Sequence, residues 1–327
     1  MTNPVYQIRS QIKTICEKEG FSLVGFAEAK IPEADLANLE EWISEGRFGN
    51  MDWFAKDHAL GIRNRFENLG LTPRSAICLG FVYRSDASEN ILSQMESKVS
   101  RYALGSDYHI LLKEKGNRIL KILRTKFPNY KFRQSVDSLP VAEKILTRES
   151  GIAWQGKNTN LIHPKLGSYF FLSTILTDLE LGGPDPEEIV TDHCGSCRKC
   201  IDICPTGALD AYKIDAKKCI SYLTIEDRRE TEATESFLKW DRKGWVYGCD
   251  LCQEVCPWNA NVAKRNKVET TEPGFLPRAF WTDPEFTNKK ALTKQEFDEY
   301  FKDSPIERIG FEIWNRNLIQ KNEKEPN

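Results

Sequence analysis

Four cysteines, Cys194, Cys197, Cys200 and Cys204, with Pro205 directly after the last, form a C-x2-C-x2-C-x3-C-P run. Thiolates at that spacing wrap an iron–sulfur cubane: three close around one cluster, and the fourth points away to ligate a second. The run therefore calls for a partner set. The chain supplies Cys249, Cys252 and Cys256, again followed by a proline, Pro257, with Cys219 lying between the two groups. Eight thiolates suffice for two [4Fe–4S] clusters at four ligands each. The crossing rule assigns Cys194, Cys197, Cys200 and Cys256 to cluster one, and Cys204, Cys219, Cys249 and Cys252 to cluster two. Val255 stands where a further closely spaced cysteine would complete the second set, and Cys219 is the natural replacement. Zinc also uses paired C-x2-C groups, but it does not need eight thiolates in two interlocked sets. Disulfides are disfavoured in a chain without a secretory signal.

Composition narrows the class. The 327 residues suggest about two domains, and 40% hydrophobic with 29% charged residues is ordinary for a globular protein. No stretch approaches the ~20 apolar residues of a membrane span, and the N-terminus lacks an apolar signal core, so no membrane association and a cytoplasmic location are expected. Cys16 and Cys78 sit in apolar periodic segments and read as core residues. A net charge of −2 argues against a polyanion binder over the whole surface. Between Lys98 and Arg133, however, ten Lys and Arg face only Asp107 and Glu114, about +8 in 36 residues. A local basic stripe on a near-neutral chain suits a polyanion docking on one face; a solvated helix face is the alternative.

These residues need elements to hold them. Apolar spacing predicts a helix over 4–19, a strand over 21–26, a helix over 33–46 and a buried strand over 76–83. The segment after Gly105 opens a long helix that Ser106 can cap, with Leu112, Ile119, Leu120, Leu123 and Phe127 on one side. Lys113, Arg118, Lys121 and Arg124 fall on a different arc of it. A strand is expected over 132–136, a helix opening at Pro140, a loop over 151–162 and a strand over 168–176. The tail mixes charged helix with a Pro/Gly connection. The sum is α+β, with a ferredoxin-like two-cluster module near the C-terminal end.

The segments YALGSDYH (102–109), SVDSLPVAEK (135–144), WQGKNTNLI (154–162), CISYLTIE (219–226) and CDLCQEVCPWN (249–259) together resemble the epoxyqueuosine reductase family, in order, over roughly residues 5–320. The resemblance implies a nitroreductase-like cobalamin-binding domain (1–185), a ferredoxin-like module (186–262) and a C-terminal helical tail packing on the module (263–327). It implies reduction of the epoxide of epoxyqueuosine, at the wobble position of tRNA, to queuosine. The reductant would be cob(I)alamin, held base-off and reduced through the two clusters. The implied partners are the anticodon stem-loop of tRNA and an external electron donor such as flavodoxin or ferredoxin.

Residue by residue, Asp137 matches the family's catalytic aspartate. Its neighbours Val136, Leu139 and Val141 are apolar, so desolvation is expected to raise its carboxyl pKa and keep it a neutral proton donor; capping the helix at Pro140 is the alternative role. Tyr108 and His109 match a pair facing the substrate side of the corrin, with His109 not a cobalt ligand. Lys144 stands where the family carries arginine, keeping the charge but losing the bidentate fork. Gly156, Lys157, Asn158 and Asn160 form a polar loop suited to corrin propionamides. Ser221 and Gln253 flank cluster ligands and could bridge cluster and corrin. Many members carry a C-terminal helical-repeat tail. The chain leaves no room for one after residues 309–318, so Lys113, Arg118, Lys121 and Arg124 are expected to bear more of the RNA load. The competing classes are a reductive-dehalogenase-like enzyme acting on a small molecule, and a ferredoxin-type electron carrier.

Overall fold

The computed structural model describes residues 4–228, 240–261, 268–287, 289 and 291–322. Its centre is an antiparallel sheet of β1 (Leu23–Glu28), β2 (Ser75–Val82), β3 (Phe132–Ser135) and β4 (Phe170–Thr177), in the order β1-β2-β4-β3. β2 and β4 pair along their whole length, from Ser75 opposite Thr177 to Val82 opposite Phe170. Every residue of β2 is buried, which is why this strand reads as one continuous apolar run rather than an alternating one. Cys78 lies within it, fully buried, as its apolar surroundings predict.

Helices cover both faces. α1 (Pro4–Lys18) and α2 (Tyr108–Lys126) bury Ile12, Cys16, Leu112, Ile119 and Leu123 against Phe81 and Ile175. On the other face Leu146, from α3 (Glu143–Glu149), packs with Leu23, Cys78 and Leu176. The arrangement is α+β. β3 runs in register with β4 from Phe132 opposite Thr177 to Ser135 opposite Thr174. Asp137 therefore emerges two residues beyond the edge strand's end.

The expected loop over 151–162 holds two short paired strands, Trp154–Gln155 and Leu161–Ile162, and two helix starts beside the site differ from the sequence expectation. Asp107, not Ser106, caps α2: its side chain accepts the His109 N–H. α3 begins at Glu143 rather than Pro140, because Val141 N–H bonds Leu139 O at 2.7 Å and Glu143 N–H bonds Val141 O at 2.9 Å. Those tight turns keep 138–142 off the helical path.

The cysteine region is built on two short helices, Lys199–Asp202 and Leu251–Glu254, packed on each other. C-terminal aromatics Trp281, Phe301 and Trp314 share a core with Trp245 and Tyr247, and with Leu92 and Leu104 from the first half of the chain. Full burial of each such side chain stabilises by about 1.5–3 kcal/mol. The tail segment thus holds the second cysteine group against the sheet domain. The expected boundary at 262/263 lies outside the described residues. Among the described residues no helix is long and apolar enough to cross a membrane.

Candidate active site

A cleft of about 1010 Å³ opens between the end of β3, the start of α2 and the cysteine region. Asp137 and Tyr108 stand on one wall; Cys204, Cys219, Cys249 and Cys252 stand on another. Cys204 belongs to the first motif by sequence, yet it faces this cleft with the second group. Cys256 belongs to the second motif, yet it lies within electrostatic reach of Cys194, Cys197 and Cys200. Cys204 thus shares the cleft lining with Cys219, Cys249 and Cys252. Among the described residues no three His, Cys, Asp or Glu side chains converge on one point as a single ion requires. Eight thiols in two sets of four match the donor count of two [4Fe–4S] clusters.

Asp250 sits between Cys249 and Cys252, and holds this group in place. Its carboxylate accepts from the Arg101 backbone N–H at 2.9 Å and from Arg101 Nη1 at 3.0 Å. Arg101 also donates two 2.8 Å bonds to Glu89 and one of 2.9 Å to Glu254. With Arg101 and Asp250 almost wholly buried, removal of either would strand a buried charge.

At the other wall Tyr108 Oη donates to Asp137 Oδ2 at 2.9 Å. His109 Nε2 lies 3.7 Å from the same oxygen, and its Nδ1 is 2.8 Å from Asp107 Oδ1. The Tyr108 ring lies flat on Phe171, with centroids 4.4 Å apart, and stacks on His109 at 4.0 Å. The neutral Asp137 expected from its apolar neighbours is corrected by this geometry. Its side chain is 70% exposed. Burial does work to raise its pKa, but the His109 and Tyr108 hydrogen bonds outweigh that, and the net shift is downward. For His109 burial works to lower the pKa, yet bonds to Asp107 and Asp137 push it up to about 9. Both shifts favour a proton on His109 over one on Asp137. Asp137 does not cap α3 either: it adopts a left-handed φ of 49°, and the cap position is Ala142.

The proposed cofactor residues divide. Asn158, Asn160, Ser221 and Gln253 line the cleft, as does Lys144. Lys144 Nζ donates to Thr159 O at 3.2 Å and Asn160 Oδ1 at 3.4 Å, and burial lowers its pKa. Asn158 Nδ2 donates to Cys252 O at 3.2 Å, pinning the 156–160 loop to the second cysteine group. Gln253 Oε1 accepts from Ser168 Oγ at 2.8 Å. Lys157 turns away instead, to the carbonyls of Gly195 and Cys197. Gly156 sits in the turn, packed under Ile162 and Asn158. A wall of amides and apolar Leu139, Val141 and Phe170 fits an apolar ring fringed with amides, which is the surface of a corrin.

Arg308 and Glu143 also line the cleft. No local pattern points to Arg308, which arrives from far along the chain. It bonds Glu226 Oε1 at 2.6 Å. Glu143 reads in sequence as an ordinary acid in a helix's first turn.

The basic residues are all exposed on α2, but they do not all line one groove. Lys113 and Arg124 line a separate groove of about 790 Å³ with Lys131 and Arg133. Arg118 is paired with Glu19 at 2.8 Å, and Lys121 lies outside the groove.

Comparison with known proteins identifies the family. A family model described as "4Fe-4S double cluster binding domain" matches residues 193–259, and one described as "Epoxyqueuosine reductase QueG" matches residues 63–138. An epoxyqueuosine reductase of Cyclobacterium marinum is 38% identical over 320 residues, 95% of this chain and 96% of the relative. A crystal structure of selenomethionine-labelled epoxyqueuosine reductase superposes with a TM-score of 0.78 at 25% identity, covering 97% of this chain and 81% of that one. Another, of epoxyqueuosine reductase with an epoxyqueuosine-modified tRNA-Tyr stem loop, gives 0.77 at 25% identity with the same coverage. The chain belongs to the epoxyqueuosine reductase family, and it is an oxidoreductase.

Proposed function

We propose that the protein reduces the epoxide of epoxyqueuosine at the wobble position of tRNA to the alkene of queuosine. The observation that carries this is the cleft itself, lined by Asp137 and Tyr108 together with Cys204, Cys219, Cys249 and Cys252, with His109 Nε2 3.7 Å from the Asp137 carboxylate. A family neighbour crystallised with a modified tRNA stem loop supports the substrate.

Removing an epoxide oxygen as water takes two electrons and two protons. Electrons would enter at cluster one, whose Cys194, Cys197 and Cys200 lie on the more exposed loop, from a one-electron donor such as flavodoxin or ferredoxin. They would pass to cluster two on the cleft wall. Cobalamin, bound base-off in the cleft by Asn158, Asn160, Ser221, Gln253 and Lys144, would supply the reducing power at the epoxide. Asp137 would present the first proton to the leaving oxygen, and solvent would supply the second, which completes water. His109 stores it, and Tyr108 fixes which carboxylate oxygen receives it. Covering the cleft with substrate would strip water from Asp137 and raise its proton affinity, which favours transfer from His109 at the moment it is needed. Domain limits of 1–185, 186–262 and 263–327, and a cytoplasmic setting, complete this reading. In cells lacking the protein, tRNA should accumulate epoxyqueuosine in place of queuosine by nucleoside mass spectrometry; unchanged queuosine would refute the assignment.

The RNA backbone would follow the groove of Lys113, Arg124, Lys131 and Arg133, rather than Arg118, which is already paired. Replacing the four groove cations by glutamine should weaken tRNA binding. It should also shrink the slope of log K against log salt by roughly 0.7–0.9 for each phosphate that a replaced cation had neutralised. The cobalamin spectrum should not change. A solvated face predicts an unchanged slope, measured by binding at three salt concentrations.

A further inference from the structure

Beneath Asp137 lies a second carboxyl group that the reaction above does not use. Glu143 Oε2 accepts the backbone N–H of Asp137 at 3.2 Å. Its Oε1 and the neighbouring Ser135 Oγ are buried outside ordinary hydrogen-bond geometry, as are Thr147 Oγ1 and Thr174 Oγ1 close by on α3 and β4. A carboxyl oxygen buried without a hydrogen bond is costly to keep unless the group has work there. That work is visible in the backbone. Asp137 holds a left-handed φ of 49°, which few non-glycine residues adopt without support. The Glu143 bond supplies that support at the amide, and the Tyr108 bond supplies it at the side chain.

We propose that Glu143 is the positioning residue for Asp137: it fixes the left-handed backbone that aims the carboxylate at Tyr108 and His109, and its ionisation loosens that aim. The inference deepens the function assigned above and rests on it for the kinetic part of its test only.

The surroundings set the pH at which this happens. From the loop, Asp137 faces Glu143 with like charge; from α2, His109 faces it with opposite charge. From β2 the Cys78 thiol lies near, itself pushed up to about 12 by burial. β4 contributes neutral Ser173 and Thr174, and on α3 Lys144 reaches across to Thr159 and Asn160. Burial dominates and pushes Glu143 up to about 8. That direction favours the neutral acid at neutral pH. As pH rises through about 8 it gains a charge; the charge strengthens its bond to the Asp137 N–H, but repulsion between the two carboxylates is the larger effect and works against the left-handed loop. Activity should therefore carry an alkaline limb near pH 8, below the one that His109 contributes near 9.

The test compares Glu143→Gln with Glu143→Ala in the full chain with clusters and cobalamin loaded. Glutamine keeps an acceptor for the Asp137 N–H but cannot ionise. It should retain at least about a third of kcat at pH 7 and lose the limb near pH 8, while keeping the one near 9. Alanine should lower kcat by about 10–100-fold, with KM for tRNA within about twofold. A second readout needs no substrate: the His109 imidazole, followed by NMR in selectively labelled protein, should titrate near 9 in wild type and in the glutamine variant. In the alanine variant it should fall toward the ordinary histidine value. Equal losses in both variants, an alanine variant with wild-type kcat, or an unmoved His109 titration would overturn the proposal. Because that titration does not depend on epoxyqueuosine, failure of the substrate assignment would leave it readable.

Discussion

Replacing Asp137 by asparagine should leave iron content, cobalamin binding and tRNA affinity intact and reduce single-turnover epoxide reduction by about 10²–10⁴-fold, the range of general acid catalysis. The amide still accepts the Tyr108 hydroxyl, so the wall of the cleft keeps its shape. It cannot pass the His109 proton to the leaving oxygen. It also withdraws the charge that, with Asp107, holds the imidazolium. The His109 pKa should therefore fall from about 9 toward its ordinary value. Protonation of His109 at neutral pH depends on that raised value, so the variant's residual activity should decline at a lower pH than the wild type's. Single-turnover assays between pH 6 and 10 check both effects. Wild-type rates would remove Asp137 from the chemistry and leave His109 or solvent as the donor.

The second large effect concerns the crossed ligand sets. Anaerobically reconstituted protein should hold about eight irons per chain, two cubanes' worth. Cys204→Ala should bring this to about four, and the missing cluster should be the one on the cleft wall, although Cys204 is the last cysteine of the first motif. The reason is spatial: Cys204 lines the cleft with Cys219, Cys249 and Cys252, while Cys256 turns back to the first group. Electron paramagnetic resonance of the reduced variant should show one cluster signal without the coupling expected of two neighbouring clusters. Its cobalamin should no longer be reduced by the electron donor. Loss of the other cluster, with the cleft-side one intact, would show that the ligands do not cross.

Much of this site was legible in the chain because cysteine spacing is a geometric instruction. C-x2-C-x2-C-x3-C-P fixes which thiols can share a cubane, and the proline stops prolong the same message. The buried strands were legible for a similar reason, since runs such as AICLGFVY leave no polar face to expose. Helix starts were less so. Ser106 and Asp107 are both good caps, and only the register of α2 decides between them. Pro140 suits a helix start, but the turns closing on Leu139 and Val141 delay it to Glu143.

The protonation of the site was not legible at all. Of the apolar neighbours of Asp137 in sequence, Val136 is buried in the core and Leu139 and Val141 line the cleft, while the Asp137 side chain meets Tyr108 and His109, 29 and 28 residues earlier in the chain. A carboxylate's pKa follows its spatial partners, and those were set by the pairing of β3 with β4 and the packing of α2. Lys157 was placed in the corrin site by its polar neighbours; the turn at Gly156 sends it to the carbonyls of cluster one's loop instead. Arg308 reaches the cleft only because the C-terminal aromatics dock on Trp245 and Tyr247, a packing that no local pattern announces.

The central claim is that the cleft couples cluster electrons to epoxide removal through bound cobalamin. The most direct test incubates the reconstituted two-cluster protein anaerobically with epoxyqueuosine-containing tRNA and a chemical one-electron donor, with and without cobalamin, and quantifies the tRNA nucleosides by mass spectrometry. The account predicts conversion to queuosine only when cobalamin is present, with stoichiometric loss of the epoxide. Equal conversion without cobalamin, or none with it while the clusters are reduced, would contradict it.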